Sequence, residues 1–222
     1  MSIDQNKEKN PKTILSEVLV GKLGLTEDHA QSFYRLSQIK ELDKKSFLIR
    51  GATVCSFIGI VISGSLRSFI LSENSEFNND FFFPGSFVSA YTSFLTRRPT
   101  NCHIQAMTNC VVICISHEYF HELINQDKDW YKLSAFIAES FFITKCRRET
   151  MFLIDSAAAR YDKVLSMYPG LEQRVAQYHI ASYVGVKPES LSRIKLLSYA
   201  EKKEAANTAV QPTLGDPSDK EV

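Results

Sequence analysis

The sequence lacks the features that mark a membrane or secreted protein. It has no apolar run of about 18 residues, the length that a membrane-spanning helix needs. Its first residues, Met1 to Lys12, are polar and contain no apolar segment like that of a secretory signal. These absences predict a cytoplasmic protein without membrane contact.

Cysteine is scarce and irregularly spaced. The chain contains five cysteines, an odd number that does not fit a framework of disulfides. They are Cys55, Cys102, Cys110, Cys114 and Cys146. We therefore expect reduced thiols. Cys110 and Cys114 lie in an apolar segment and are expected to be buried in a core.

Charge gives no signal at the level of the whole chain. The 222 residues include 26 Lys and Arg against 25 Asp and Glu, for a formal net charge of +1. Hydrophobic residues make up 44% of the chain and charged residues 23%, which is ordinary globular composition. Any surface that binds nucleic acid must therefore be local.

The apolar pattern predicts helix first and strands afterwards. Residues 13–42 carry apolar side chains at helical spacing, continued by Phe33, Leu36 and Ile39. From residue 46 to residue 116, short apolar stretches alternate with turn residues, and 72–79 is one of the polar turns. Many short strands with regular punctuation indicate a sandwich or barrel.

A long helix is predicted from about residue 127 to Ile154, with no Pro or Gly inside it. Its apolar residues approximate one stripe: Trp130, Leu133, Ile137, Phe141, Thr144, Met151 and Ile154. The stripe favours a seam with a partner helix. The alternative is that this face lies on the protein's own barrel.

The C-terminal part predicts two crossed helices. After a helix over 156–167, which Tyr168-Pro169-Gly170 stops, residues 177–197 fit a helix-turn-helix. Ala181 is small enough for a close helix crossing, and Gly185 tolerates positive φ in the turn. Pro188 suits the first turn of the second helix. Residues 200–222 are polar and are predicted to be a disordered tail.

The second of these helices is predicted to carry a polar outer face. Its side chains are Lys187, Glu189, Ser190, Ser192, Arg193 and Lys195. Arg can bond guanine O6 and N7 together, Glu can accept from cytosine N4, and Ser and Lys suit phosphates. The alternative is a plain helical hairpin with a solvated polar face.

The stretch from Ala181 to Ile194 closely resembles the DNA-binding helix-turn-helix of regulators of the Crp–Fnr (cyclic-AMP receptor and fumarate-nitrate regulator) family. Upstream, Ile62 to Arg67, Phe81 to Gly85 and Ser93 to Thr96 resemble that family's cyclic-nucleotide-binding barrel. The resemblance covers roughly residues 20–198. Glu189 and Arg193 fall where the family's principal base-reading Glu and Arg stand, whereas Pro188 replaces an Arg that some members have.

The resemblance implies an α+β protein. It would have a cyclic-nucleotide-binding-type antiparallel β-barrel (a jelly roll, or double-stranded β-helix) with flanking helices, a long dimerisation helix and a C-terminal helix-turn-helix domain. The expected divisions are an arm at 1–12, a sensor domain at 13–125, a dimerisation helix at 126–154, a DNA-binding domain at 155–199 and a tail at 200–222. The expected partners are double-stranded DNA, a second copy of the chain, RNA polymerase and an unidentified small-molecule effector.

The effector pocket departs from the family. Members that bind cyclic AMP hold the ribose with a Gly-Glu pair and the phosphate with an Arg-Ser/Thr pair. Here the first pair reads Ser89-Ala90 and the second Thr100-Asn101. We expect that the pocket does not bind cyclic AMP in the familiar way. The alternative is that the neighbouring Arg97 or Arg98 replaces the phosphate-binding Arg.

Enzymatic and cofactor functions find little support. His117-Glu118-Tyr119-Phe120-His121 matches the zinc-hydrolase signature, but it follows an apolar strand and is explained by a capped surface helix. A cupin-type metal barrel would need clustered ligands, and the strand region offers His103 alone. An iron–sulfur cluster would need N-terminal thiolates before Cys55. We therefore expect no enzyme, no metal and no cofactor. A barrel that regulates through protein contacts without DNA binding remains a further alternative.

Overall fold

The computed structural model of the chain describes residues 10–73 and 75–197. Eight strands form its centre: β1 Ser37–Leu42, β2 Phe47–Ile49, β3 Phe57–Ser63, β4 Leu66–Ser72, β5 Ser75–Phe82, β6 Phe87–Val88, β7 Cys102–Ala106 and β8 Cys110–Ser116. They make two antiparallel four-stranded sheets, in the orders β1-β8-β3-β6 and β2-β7-β4-β5. The two sheets enclose an apolar core, as the alternation of short strands and turns predicted.

Helices flank these sheets. They are α1 Pro11–Ser16, a π-helical segment Glu17–Lys22, α2 Glu27–Leu36, α3 Tyr91–Thr96, α4 His117–Gln126, α5 Trp130–Ile154, α6 Ala157–Met167, α7 Leu171–Arg174 and α8 Gln177–Val184. A last helix, α9, covers residues 188–197. Among the described residues, no helix is both long and apolar enough to cross a membrane.

The expected helix over 13–42 is wrong in its last part. α2 ends at Leu36, where the Ser37 hydroxyl donates to the carbonyl of Phe33 at 2.7 Å. The chain then continues as strand β1, which pairs along its whole length with β8. Ile39, assigned to the helical stripe, is 47% exposed in this strand. Pairing with a buried strand outweighs a helical period that rests on few residues.

The expected polar turn over 72–79 is also wrong. The turn between β4 and β5 is tight, because Ser72 pairs with Ser75, and β5 runs from there to Phe82. Asn79 is the extra residue of a bulge, since Ser68 pairs with Asp80 while Phe69 pairs with Asn78. Of the polar residues that suggested a turn, Asn78 is buried against α8, whereas Ser72, Ser75 and Glu76 stay exposed along the strand.

Four of the seven residues in the apolar stripe predicted on the long helix face the protein's own core. Trp130, Leu133, Ile137 and Met151 are all buried, at most 3% exposed, whereas Ile154 at the end of the stripe is 75% exposed. The prediction of a dimer seam is therefore wrong for the four buried residues, and the alternative of packing on the chain's own body is correct for them. The opposite face of α5 exposes Tyr131, Phe142 and Leu153, which are 61%, 70% and 76% exposed.

The C-terminal helices have a core of their own that reaches the sheet. Its buried residues include Tyr161, Val164, Ile180, Val184 and Leu191, and they pack together with Phe81 of β5. The Phe81 ring stacks on Tyr183 with centroids 5.3 Å apart. Because β5 is one of the two edge strands of its sheet, α8 covers an edge that would otherwise lie open.

Candidate functional site

Helices α8 and α9 meet at a left-handed turn. Gly185 ends α8 with φ of +79°, and its N–H donates to the carbonyl of Ala181 at 2.9 Å. Ala181 is fully buried at the crossing, and Leu191 anchors α9 onto α8. The prediction of a glycine of positive φ in this turn is confirmed, and Ala181 is buried, as a close helix crossing would require.

The structure brings most of the predicted DNA-contacting residues to one surface. Lys187, Glu189, Ser190, Ser192 and Arg193 are exposed around the start and outer face of α9. Ser192 donates to the carbonyl of Pro188 within the helix. This surface therefore offers two cations, one carboxylate and hydroxyls to solvent.

Lys195 differs from the other predicted residues. Its Nζ lies 2.6 Å from Glu172 Oε1 in α7, and its side chain is only 17% exposed. The Tyr161 hydroxyl donates to the same carboxylate oxygen at 2.7 Å. Lys195 thus fastens α9 to α6 and α7, and a partly desolvated pair of this kind costs more to break than a surface pair.

A cavity of about 370 Å³ lies between the sheets and α5. Its lining combines hydroxyl, acidic, amine and aromatic groups: Ser68, Asn79, Asp80, Phe82, Ser89, Ala90, Tyr91, Thr92, Ser93, Thr100, Cys102, Ala138, Phe141, Phe142 and Lys145. Its size falls in the range of small-molecule sites, roughly 300–1,000 Å³. Chemically, it can hold a compact molecule against several oxygen acceptors.

Of the six predicted effector residues, three line this cavity: Ser89, Ala90 and Thr100. Arg97, Arg98 and Asn101 are not part of the lining. The Arg97 guanidinium donates to the carbonyl of Cys55 at 3.0 Å, and the carbonyl of Arg98 accepts from the Ser93 hydroxyl. Neither arginine therefore contributes a side chain to the wall of the cavity.

Asp80 is the charged residue at the base of the cavity, and sequence reasoning missed it. Its Oδ1 accepts from the Tyr168 hydroxyl at 2.8 Å and from the Phe81 N–H at 2.9 Å. Its Oδ2 lies 3.8 Å from Lys145 Nζ. Burial raises the pKa of Asp80, although Lys145 and the Tyr168 hydroxyl oppose the shift. The same burial, with Asp80 nearby, raises the pKa of Tyr168.

A second polar cluster joins the sheet to α8. The Arg67 guanidinium, 4% exposed, donates to Glu76 at 2.5 Å, to Asn78 Oδ1 at 3.2 Å and to Gln105 at 2.7 Å. It also reaches His179 Nδ1 at 3.2 Å. Because the donor groups of Arg67 and Asn78 both face Nδ1, this nitrogen is the unprotonated one and accepts. Burial, with Arg67 beside it, lowers the pKa of His179 to about 4.

Backbone bonds extend this cluster along β5. The N–H of Asn78 donates to the Ser182 hydroxyl at 2.9 Å, and that hydroxyl donates to the carbonyl of Glu76 at 2.7 Å. Arg148 of α5 donates to the carbonyl of Asn78 at 3.3 Å. These bonds give partners to backbone groups of Glu76 and Asn78 on the open edge of β5, and they fix the position of α8 on the sheet.

The zinc-hydrolase signature forms a capped helix start. His117 is the first residue of α4, and the Ser116 hydroxyl accepts from the Tyr119 N–H at 3.2 Å. Within residues 10–73 and 75–197, the one grouping of three metal-binding side chains is His29, Asp127 and Asp129, which does not involve the signature. His103, the other lone histidine weighed as a ligand, stacks on Phe69 with centroids 5.1 Å apart.

Comparison with known proteins agrees with this architecture. Residues 39–127 match the family described as the cyclic nucleotide-binding domain. No curated protein matches the sequence. The match covers β1 to the start of the α4–α5 connection, which includes the cavity except for its α5 wall.

Several solved structures share the fold across both halves of the chain. The c-di-GMP responsive global regulator CLP of Xanthomonas campestris is 17% identical, with a TM-score of 0.64 over 80% of this chain and 93% of that chain. CooA from Carboxydothermus hydrogenoformans is 16% identical, with a TM-score of 0.65 over 85% and 84%. FixK2 from Bradyrhizobium japonicum is 13% identical, with a TM-score of 0.59 over 81% and 89%. At these identities the likeness establishes the fold.

Proposed function

We propose that the protein is a homodimeric transcription regulator of the Crp–Fnr type that binds specific DNA sequences through α9. The observation that carries the proposal is the exposed polar face of α9 directly after the left-handed turn at Gly185. A helix presented in this way fits the major groove, with its first residues toward the base edges.

The proposed base-reading residues are Glu189 and Arg193, both exposed. Lys187, Ser190 and Ser192 would contact phosphate or add base contacts. Lys195 takes a different role, because DNA contact would cost it the pair with Glu172. We propose that it holds α9 at the correct angle rather than touching DNA.

The proposed dimer forms along the exposed face of α5. Tyr131, Phe142 and Leu153 lie on one side of the helix, since intervals of 11 residues return to nearly the same direction at 3.6 residues per turn. An apolar stripe of this kind, left open to water, is typical of a helix that pairs with a second copy. Two paired chains would place two α9 helices on half-sites about 34 Å apart.

The proposed sensor domain does not bind cyclic AMP in the familiar way. Ala90 and Thr100 line the cavity where the family has its Glu and Arg, and the Arg97 guanidinium is bonded to a carbonyl elsewhere. The single lining cation, Lys145, faces Asp80. A phosphodiester would meet a desolvated carboxylate there without the charge that normally neutralises it.

Selection of bound sequences from a random DNA pool tests the proposal. We expect enrichment of a two-fold symmetric motif with half-sites one helical turn apart. Gel shifts on the enriched sequence should weaken steeply as salt is raised, because phosphate contacts release counterions. A pool that shows no enrichment, from protein that is folded and dimeric, would instead favour a barrel that acts through protein contacts.

A further inference from the structure

Two acceptor oxygens of the cavity, Asp80 Oδ2 and Asn79 Oδ1, receive no hydrogen bond from the described residues. Asp80 Oδ2 has Lys145 Nζ at 3.8 Å, and Arg148 is a second cation near the carboxylate, but no described residue donates a hydrogen bond to this oxygen. Asn79 Oδ1 is buried and has no hydrogen-bond partner within the described part of the chain. A buried acceptor without a partner is unfavourable, so the cavity favours an occupant that donates.

Two hydroxyls that line the cavity already donate their protons to backbone carbonyls. Ser89 donates to the carbonyl of Phe57 at 3.0 Å, and Ser93 donates to the carbonyl of Arg98. Ser93 Oγ also accepts from the Cys55 N–H at 2.9 Å, so each of these two hydroxyls offers the cavity no donor and at most an oxygen lone pair. The aromatic rings of Tyr91 and Phe141, stacked with centroids 5.1 Å apart, form an apolar wall opposite these oxygens.

We propose that the cavity binds a small organic amine, held by its ammonium group at Asp80 and Asn79 and by its body against the aromatic wall. An ammonium has three donors, no acceptor and a positive charge, so it can donate to Asn79 Oδ1 and to the negatively charged Oδ2 of Asp80. The aromatic faces add a favourable surface for the cation. This inference deepens the proposed function, because it names the effector class of the sensor domain.

Asp80 also connects the cavity to the DNA-binding half. Its second oxygen accepts the hydroxyl proton of Tyr168, which lies between α6 and α7 and contacts the Tyr183 hydroxyl of α8 at 3.4 Å. An ammonium at Oδ2 draws the carboxylate toward itself and changes its bond with Tyr168. Occupancy of the cavity is thereby transmitted to α8 through one shared side chain.

Calorimetry with defined probes tests the binding. The full-length protein is titrated with phenethylamine, tyramine and tryptamine, and with 2-phenylethanol, 3-phenylpropionate and cyclic AMP as matched neutral and anionic probes. We expect at least one amine to bind, and the alcohol and the anions to bind at least about tenfold more weakly. No binding by any of the three amines, or tighter binding of an anion, would overturn the inference.

Two variants locate the amine. Asp80→Asn keeps an acceptor for the Tyr168 hydroxyl but removes the charge, so we expect a folded protein whose amine affinity falls at least about tenfold. Lys145→Met removes the competing cation without touching the bond to Tyr168, so amine affinity should stay equal or rise. Unchanged binding in the first variant or lost binding in the second would contradict the assignment.

Hydrogen exchange of residues 177–184 tests the coupling. In the wild-type protein, the bound amine should change the exchange rates of α8, whereas Tyr168→Phe should bind the amine within about threefold and show no such change. An equal change in Tyr168→Phe would overturn the coupling. Calorimetry and exchange need no DNA, so failure of the amine inference and failure of DNA binding are read separately.

Discussion

The imidazole of His179 in α8 accepts a hydrogen bond from the Arg67 guanidinium in β4, with 3.2 Å between Nδ1 and Nη1. Asn78 Nδ2 lies 3.3 Å from the same nitrogen. His179 is only 8% exposed, and burial lowers its pKa to about 4. The contact between the sheet and α8 therefore requires a neutral imidazole.

Acid should weaken this contact. The folded pKa of His179 lies below the ordinary value of 6.5, so the unfolded chain binds more protons between about pH 4 and pH 6.5. The stabilisation is complete above that window and is lost as the pH falls through it. We expect a loss of roughly 1–3 kcal/mol in the free energy of unfolding, measured by urea unfolding at several pH values.

The control for this prediction is His179→Gln, which has no titrating imidazole at this site. Asp80 has a raised pKa and acts in the opposite direction, but it is present in both proteins. The difference between the two pH profiles therefore isolates His179. Parallel profiles would show that its protonation is not linked to folding.

The sequence predicts the parts of the molecule whose signals are local. The turn at Gly185, the crossing at Ala181 and the capped start of α4 each depend on a few neighbouring residues with a specific backbone requirement. The alternation of short strands likewise predicts a two-sheet domain. Each of these features can be read without knowing what lies across the fold.

The missed features depend on contacts between distant segments. Asn78 and Asp80 look like turn residues in sequence, but α8 and Tyr168 bury them more than 80 residues away along the chain. The two faces of α5 are both apolar, so periodicity alone cannot show which face the chain covers itself. The roles of Asp80 and Leu153 follow only once the helices are placed against the sheets.

Arg193 and Lys195 should behave differently when each is replaced by Ala. Arg193 is exposed on the outer face of α9, so Arg193→Ala should relax sequence preference and weaken specific binding by about 1–3 kcal/mol. Lys195→Ala should mainly lower stability, because it leaves Glu172 without its 2.6 Å partner. Binding to the selected site and to single-base variants of it, with thermal unfolding of each protein, separates the two effects.

If Arg193 reads a base, its replacement must change DNA binding without changing the stability of the protein. Arg193→Ala should keep the stability of the wild-type protein within about 0.5 kcal/mol, as expected for an exposed residue. An unchanged footprint and affinity in this variant would contradict the assignment. Equal loss of affinity for specific and random DNA would make Arg193 a phosphate contact instead.

Dimerisation should depend on Leu153, which is 76% exposed on the open face of α5. Leu153→Glu would place a charge in each copy of the proposed seam, facing its counterpart across the two-fold axis, so we expect the variant to be monomeric. Ile39→Glu is the matched control, because Ile39 is a comparably apolar side chain, 47% exposed, on strand β1 rather than on α5. Light scattering at micromolar concentration measures the mass, and a monomeric wild-type protein would contradict the proposal.

Gly185 should not tolerate a side chain. Its φ of +79° is unfavourable for other residues, and an added Cβ would lie 2.7 Å from Cε1 of Phe152 in α5. Gly185→Ala should therefore destabilise the protein by roughly 1–3 kcal/mol and weaken DNA binding, because the turn orients α9.

The control is Gly21→Ala, where the nearest atom to a new Cβ is 4.0 Å away and a helical Ala should be neutral or stabilising. Thermal unfolding of both variants beside the wild type measures the difference, and equal stability of the two variants would show that the turn does not need its glycine.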